Sequence, residues 1–165
     1  MIKKIYRLLD KRFVVLLLIM LIASPILCGQ NTYTICLIYS HYLTVYMNNI
    51  FLLMAYQFAY RLNVFFTPMI IRLGEKVIFT WTYIGLFLLG SIYTILIYIS
   101  YAFFFGTIPA DSYHFTILFM ILNFIVTGVE TTIIYLQIGQ KKNFLYLALP
   151  VFINFLFHII FINLS

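Results

Sequence analysis

The chain has 165 residues, 65% of them hydrophobic and 8% charged, with a net charge of +6. A soluble domain carries about 25% charged residues, so this composition excludes a water-soluble fold and predicts an all-α, polytopic membrane bundle. The alternating segments of about 10 residues that mark a β-barrel are absent. Nucleic-acid binding would want a basic stripe interleaved with polar recognition residues, and there is none.

Residues 1–12 read MIKKIYRLLDKR. Ile2, Ile5, Leu8 and Leu9 share one helical face, while Lys3, Lys4, Arg7 and Lys11 lie mostly on the other. This is a short basic amphipathic helix suited to anionic lipid headgroups. The apolar run after it predicts a first span over residues 13–28. A signal peptide has the same layout, but Leu27 and Pro25 spoil the neighbouring cleavage patterns, so the span is expected to be retained. Residues 29–33 are expected to form an uncharged polar turn. Cys28 and Cys36 flank it, either as a disulfide in an oxidising compartment or as two separate thiols. The second span, residues 34–60, holds Ser40, His41, Thr44, Asn48 and Asn49, so one side of it should face other helices.

Residues 61–76, RLNVFFTPMIIRLGEK, are the sizeable charged connection within the chain. Pro68 is expected to break it. Ile70 and Ile71, followed by Arg72, Gly74, Glu75 and Lys76, give a short amphipathic piece that either docks in a partner's groove or lies on headgroups. The third span covers residues 77–105. Trp81 sits near its inner end, and Tyr98, Tyr101 and residues 103–105 read as an interfacial aromatic belt at its outer end. An outer loop with Pro109 and Asp111 leads to a fourth span, residues 115–139. A turn at residues 140–143 follows, then a fifth span, residues 144–162, bent by Pro150.

Lys and Arg alternate strictly between connections. Five precede the first span, three lie between the second and third, two between the fourth and fifth, and the other connections carry none. By the positive-inside rule this predicts five spans in the cell membrane, with the amino end cytoplasmic and the carboxyl end outside.

Glu130 is the one acidic residue inside a predicted span. Ionised, it would be costly there, so it should be protonated, paired or in contact with water. Asn123, Thr127, Thr131 and Gln137 recur beside it at helical spacing. At similar depth the other spans place Asn48, Asn49, Ser91, Thr94 and Asn154. These residues form either a substrate or ion contact, or hydrogen bonds that tie helices together. His41, His114 and His158 are scattered, no phosphate loop is present, and no Ser-His-Asp arrangement is legible. The sequence therefore predicts neither an enzyme nor a metal or cofactor site.

The layout, with a basic amino-terminal helix, a span, a short outer turn, a second span and the inner pattern MIIRLGEKVIFTW, resembles the short membrane subunits of type-two ABC exporters of Gram-positive bacteria. Many of these are linked to bacteriocin or lantibiotic export and self-immunity. The resemblance implies an inner coupling helix at residues 67–76, with Arg72, Gly74, Glu75 and Lys76 meeting a separate ATP-binding subunit alongside other membrane subunits. The family pattern has six spans and an inner carboxyl end, against the five spans and outer end counted here. The residues also admit a non-transporting role, as an immunity protein or a small scaffold subunit.

Overall fold

The structure, a computed structural model, describes residues 9–34, 42–108 and 110–162. Among them the chain is helical, with no strand. The helices are α1 (Lys11–Thr34), α2 (Tyr42–Val64), α3 (Phe66–Leu73), α4 (Glu75–Phe105), α5 (Tyr113–Tyr135) and α6 (Leu145–Ile162), with a turn of 3-10 helix at Ala110–Ser112. Helices are what such a chain must form in hydrocarbon, where every backbone N–H and C=O needs a partner within its own segment. α1, α4 and the segment Ala110–Tyr135 are each long and apolar enough to cross a membrane. α2 and α3 supply a fourth crossing if the pair, bent by 68°, is one broken span, and α6 is apolar but shorter.

Four sequence expectations change. The polar turn at residues 29–33 is instead the last part of α1. Nothing there forbids a helix, since a single Gly costs only about 1 kcal/mol. The proposed pairing of Cys28 with Cys36 falls outside the described residues, as does most of the basic amino-terminal helix. The inner connection is broken at Phe65, where α2 and α3 meet at 68°, rather than at Pro68 itself; Pro68 sits in the first turn of α3, where a missing N–H has no intrahelical acceptor to disappoint. The fourth span ends as helix at Tyr135, and residues 136–139 turn through Gly139 at φ +77°. Finally, Tyr98 and Tyr101 are buried rather than belted at an interface. The Tyr98 hydroxyl accepts from Asn123 Nδ2 at 2.6 Å, and the Tyr101 hydroxyl lies 2.8 Å from Ser24 Oγ. Phe103 and Phe104, by contrast, do face outward.

α2 is the buried centre. Met47, Leu52, Ala55 and Ala59 are fully enclosed, and the helix packs on α1, α5 and α6. α1 and α4 instead keep wide apolar faces exposed, including Ile19, Ile22 and Ile26 on α1 and Leu88, Ile92 and Ile99 on α4. Such faces suit lipid rather than water. Asp10 and Arg61 form an ion pair at 2.8 Å, tying the start of α1 to the end of α2. Asn63, just beyond, bonds the connection after α5. Among the described residues, every Lys and Arg therefore gathers at one end of the bundle, and Asp111 and His114 are exposed at the other. The Asp10 carboxyl is held below the usual Asp range, first by the backbone N–H of Arg12 and then by the Arg61 guanidinium. Its ion pair thus survives mild acidification and is lost only as pH falls through that lowered value.

α4 packs tightly on α5 at Gly90. A Cβ placed there would stand 3.0 Å from Thr127 Cγ2 and 3.1 Å from Thr131 Cγ2. Small residues at such a crossing let two membrane helices pack backbone to backbone. Gly90→Leu should therefore force α4 from α5 and cost about 1–3 kcal/mol by overpacking. Gly85→Leu, at a position with open space around the glycine, should cost clearly less. Denaturant titration of the two variants in detergent checks the difference.

Candidate functional site

Two regions concentrate the chemistry: an elbow at the basic end, and a set of polar side chains inside the bundle. The elbow begins where α2 stops. The Phe65 N–H bonds the Leu62 carbonyl at 3.0 Å, and the chain then turns into α3. Phe66, Met69, Ile70 and Leu73 recur at i, i+3, i+4 and i+7 and form its half-buried face. Phe66 meets the Phe79 ring edge to face at a centroid distance of 5.2 Å, and Phe79 meets Tyr135 in the same way. Thr67, Pro68, Ile71 and Arg72 point outward, with Ile71 80% exposed. No α3 residue is fully buried.

Gly74 makes the elbow possible. Its N–H closes α3 on the Ile70 carbonyl at 2.8 Å, and its φ of +82° suits glycine alone. α4 then starts at once, with Glu75 in its first turn, where a carboxylate complements the helix dipole. Arg72, Gly74, Glu75 and Lys76, the four residues singled out from the inner loop, are thus exposed around one corner. Glu75 and Lys76 also border an open cleft with Phe79, Thr80, Tyr83 and Tyr135.

The interior residues separate into groups. Asn48, Asn49 and Asn154 come together. Asn48 Nδ2 donates to Asn154 Oδ1 at 3.3 Å, and Asn154 Nδ2 donates to Asn49 Oδ1 at 2.8 Å and to the Val45 carbonyl at 3.1 Å. The Tyr93 hydroxyl donates to Asn48 Oδ1 at 2.5 Å, and the Tyr93 ring stacks on Phe51. Thr127 belongs to a different contact, accepting from Thr94 Oγ1 at 3.3 Å across the α4–α5 crossing. Ser91 is half-buried, and its hydroxyl bonds no other side chain among the described residues. Glu130 is buried, and its Oε1 has no hydrogen-bond partner.

A third cluster, at the basic end, was not anticipated as a unit. Asn63 Nδ2 donates to the Gln137 carbonyl at 2.9 Å, and Asn63 Oδ1 accepts from the Gly139 N–H at 2.8 Å. Gln137, fully buried, accepts from the Asn143 N–H at 3.0 Å and donates to the Lys141 carbonyl at 3.1 Å. The Tyr56 hydroxyl donates to the Asn143 carbonyl at 3.1 Å, and the Lys142 ammonium sits over the Tyr60 and Phe144 rings. Asn63 and Tyr93 carried no signal in sequence beyond being polar-capable residues in or beside predicted spans. Among the described residues, no group of His, Cys, Asp and Glu could hold a metal ion.

The asparagine cluster should behave as one unit. Asn48→Leu and Asn154→Leu each strand buried partners and should cost about 1–3 kcal/mol. The double variant should cost clearly less than their sum, because the two share one network. Unfolding midpoints of the three variants in detergent check this, and additive losses would refute the shared network. No protein-family model, no curated protein and no solved structure matches this chain.

Proposed function

We propose that this chain is an integral membrane subunit of a transport complex: an ABC-type exporter permease for a peptide or lipid-like substrate, working with a separate ATP-binding subunit that docks on α3. The observation that carries this reading is the elbow. α3 is a short amphipathic helix with an outward row of Ile71 and Arg72, set between two long helices and followed by exposed Glu75 and Lys76. A helix of that form suits a partner's groove. Its place at the end where the described Lys and Arg residues gather favours the cytoplasmic side, where ATP is hydrolysed. On this reading α6 is the fifth span, the amino end is cytoplasmic and the carboxyl end lies outside. The basic end also meets anionic lipid headgroups.

A second reading draws on the interior. The amides of Asn48, Asn49 and Asn154 bond one another and Tyr93. That internal use favours a rigid, non-transporting role, such as an immunity protein or a scaffold subunit of a larger membrane complex. Purification of the tagged chain from native membranes in mild detergent separates the two. The exporter reading expects an ATP-binding subunit to co-purify. It also expects Arg72→Glu or Glu75→Lys to lower that recovery about fivefold or more, equivalent to roughly 1 kcal/mol of docking energy. Both side chains are exposed, so the level of the chain itself should hold. Recovery of other membrane proteins with no ATPase would favour the scaffold reading and refute the exporter.

A further inference from the structure

Glu130 is the acidic residue held within the body of a described helix, since Asp10 precedes α1, Glu75 opens α4 and Asp111 lies before α5. Only 3% of its surface is exposed, and its Oε1 has no hydrogen-bond partner. The hydroxyls beside it make other contacts. Thr127 Oγ1 takes the proton of Thr94, and Thr131 Oγ1 donates to the carbonyls of Thr127 and Gly128.

α2, α4 and α6 pack against α5. Their charged groups are Arg61, ion-paired to Asp10, and Glu75 with Lys76 at the start of α4, while α6 has none. Lys141 and Lys142 lie in the connection at the same basic end. Tyr56 on α2 and Tyr93 on α4 donate to Asn143 and Asn48. His158 on α6 lies a turn beyond Asn154, toward the far end of the bundle. Among the described residues no cation therefore stands at the depth of Glu130, and an ionised, unpaired carboxylate is not sustained in such an interior.

Its placement adds a route. Glu130 lies five residues before the end of α5, and Gln137 lies two residues past it, in the turn that follows. Gln137 belongs to the cluster that Asn63 and Asn143 form at the basic end. The amide oxygens of that cluster and of the asparagines around Asn154 all accept hydrogen bonds, whereas Glu130 Oε1 is an open acceptor.

We propose that Glu130 is a proton-binding site of the bundle, occupied in the packed state and exchanging with the basic end past Gln137 and Asn63. This does not rest on a partner at α3, because the proton is read on the isolated chain.

A lipid-soluble carbodiimide, dicyclohexylcarbodiimide, tests it. The protonated carboxyl adds across one C=N bond. Its oxygen joins the central carbon, its proton passes to nitrogen, and the O-acylisourea rearranges to a stable N-acylurea with nothing lost. Intact mass of the purified chain should show one added carbodiimide, mapped to the peptide that carries Glu130 and absent in Glu130→Gln. Labelling should fall as the medium is made alkaline, and Glu75, exposed to water, should stay unmodified. Infrared difference spectra of the wild type against Glu130→Gln give a second readout that does not depend on reagent access. They should show the loss of an un-ionised carboxyl band. Loss of a carboxylate band instead, or labelling that survives in a normally eluting Glu130→Gln, overturns the proposal.

Discussion

A polar group inside this bundle has no water to turn to, and the contact between Asn48 and Asn154 is where that constraint governs the fold most directly. Each carboxamide there bonds a side chain of another helix, so the register of α2 against α6 follows from the need to satisfy both. Tyr93 extends the same requirement to α4. The apolar residues around this cluster tolerate sliding, since one buried Leu surface is much like another in hydrocarbon. Matching donors and acceptors do not tolerate it, and their positions set how deep each helix sits.

The basic end applies the same logic to backbone. Asn63 bonds the Gln137 carbonyl and the Gly139 N–H, and Gln137 bonds the residues that lead into α6. A connection that would otherwise leave several peptide groups bare is closed by two side-chain amides. The elbow at α3 rests on this platform through the rings of Phe66, Phe79 and Tyr135. The surface offered by Ile71 and Arg72 is therefore carried on a braced support rather than on a loose loop.

Much of this was legible in sequence. The long apolar runs defined the helices to within a few residues at both ends of α4 and at the start of α6, because composition and length decide what crosses hydrocarbon. The spacing around Ile70 and Ile71 also marked an amphipathic piece where the structure has α3. What escaped had local causes. Gly29 and its polar neighbours read as a turn, yet α1 runs through them, since a helix already nucleated by its apolar body extends cheaply. Tyr98 and Tyr101 read as an interface belt because their apolar rings and hydroxyl tips suit that position, and only the opposing Asn123 and Ser24 draw them inward. The interior polar residues shared a depth in sequence, but which of them meet depends on helix rotation. That is why Asn154 joins Asn48 while Glu130 stands apart.

The gathering of cations at one end has a consequence for how such a chain enters a bilayer. The link between α1 and α2 and the link between α4 and α5 contain no Lys or Arg. Each pair of helices can insert as a hairpin whose leading tip is uncharged or carries only Asp111, so no ammonium or guanidinium has to be carried through hydrocarbon. The charges that stay behind then hold each hairpin in place from its trailing side. The described cations that mark one end of the finished bundle also make its assembly a sequence of steps without a large electrostatic barrier.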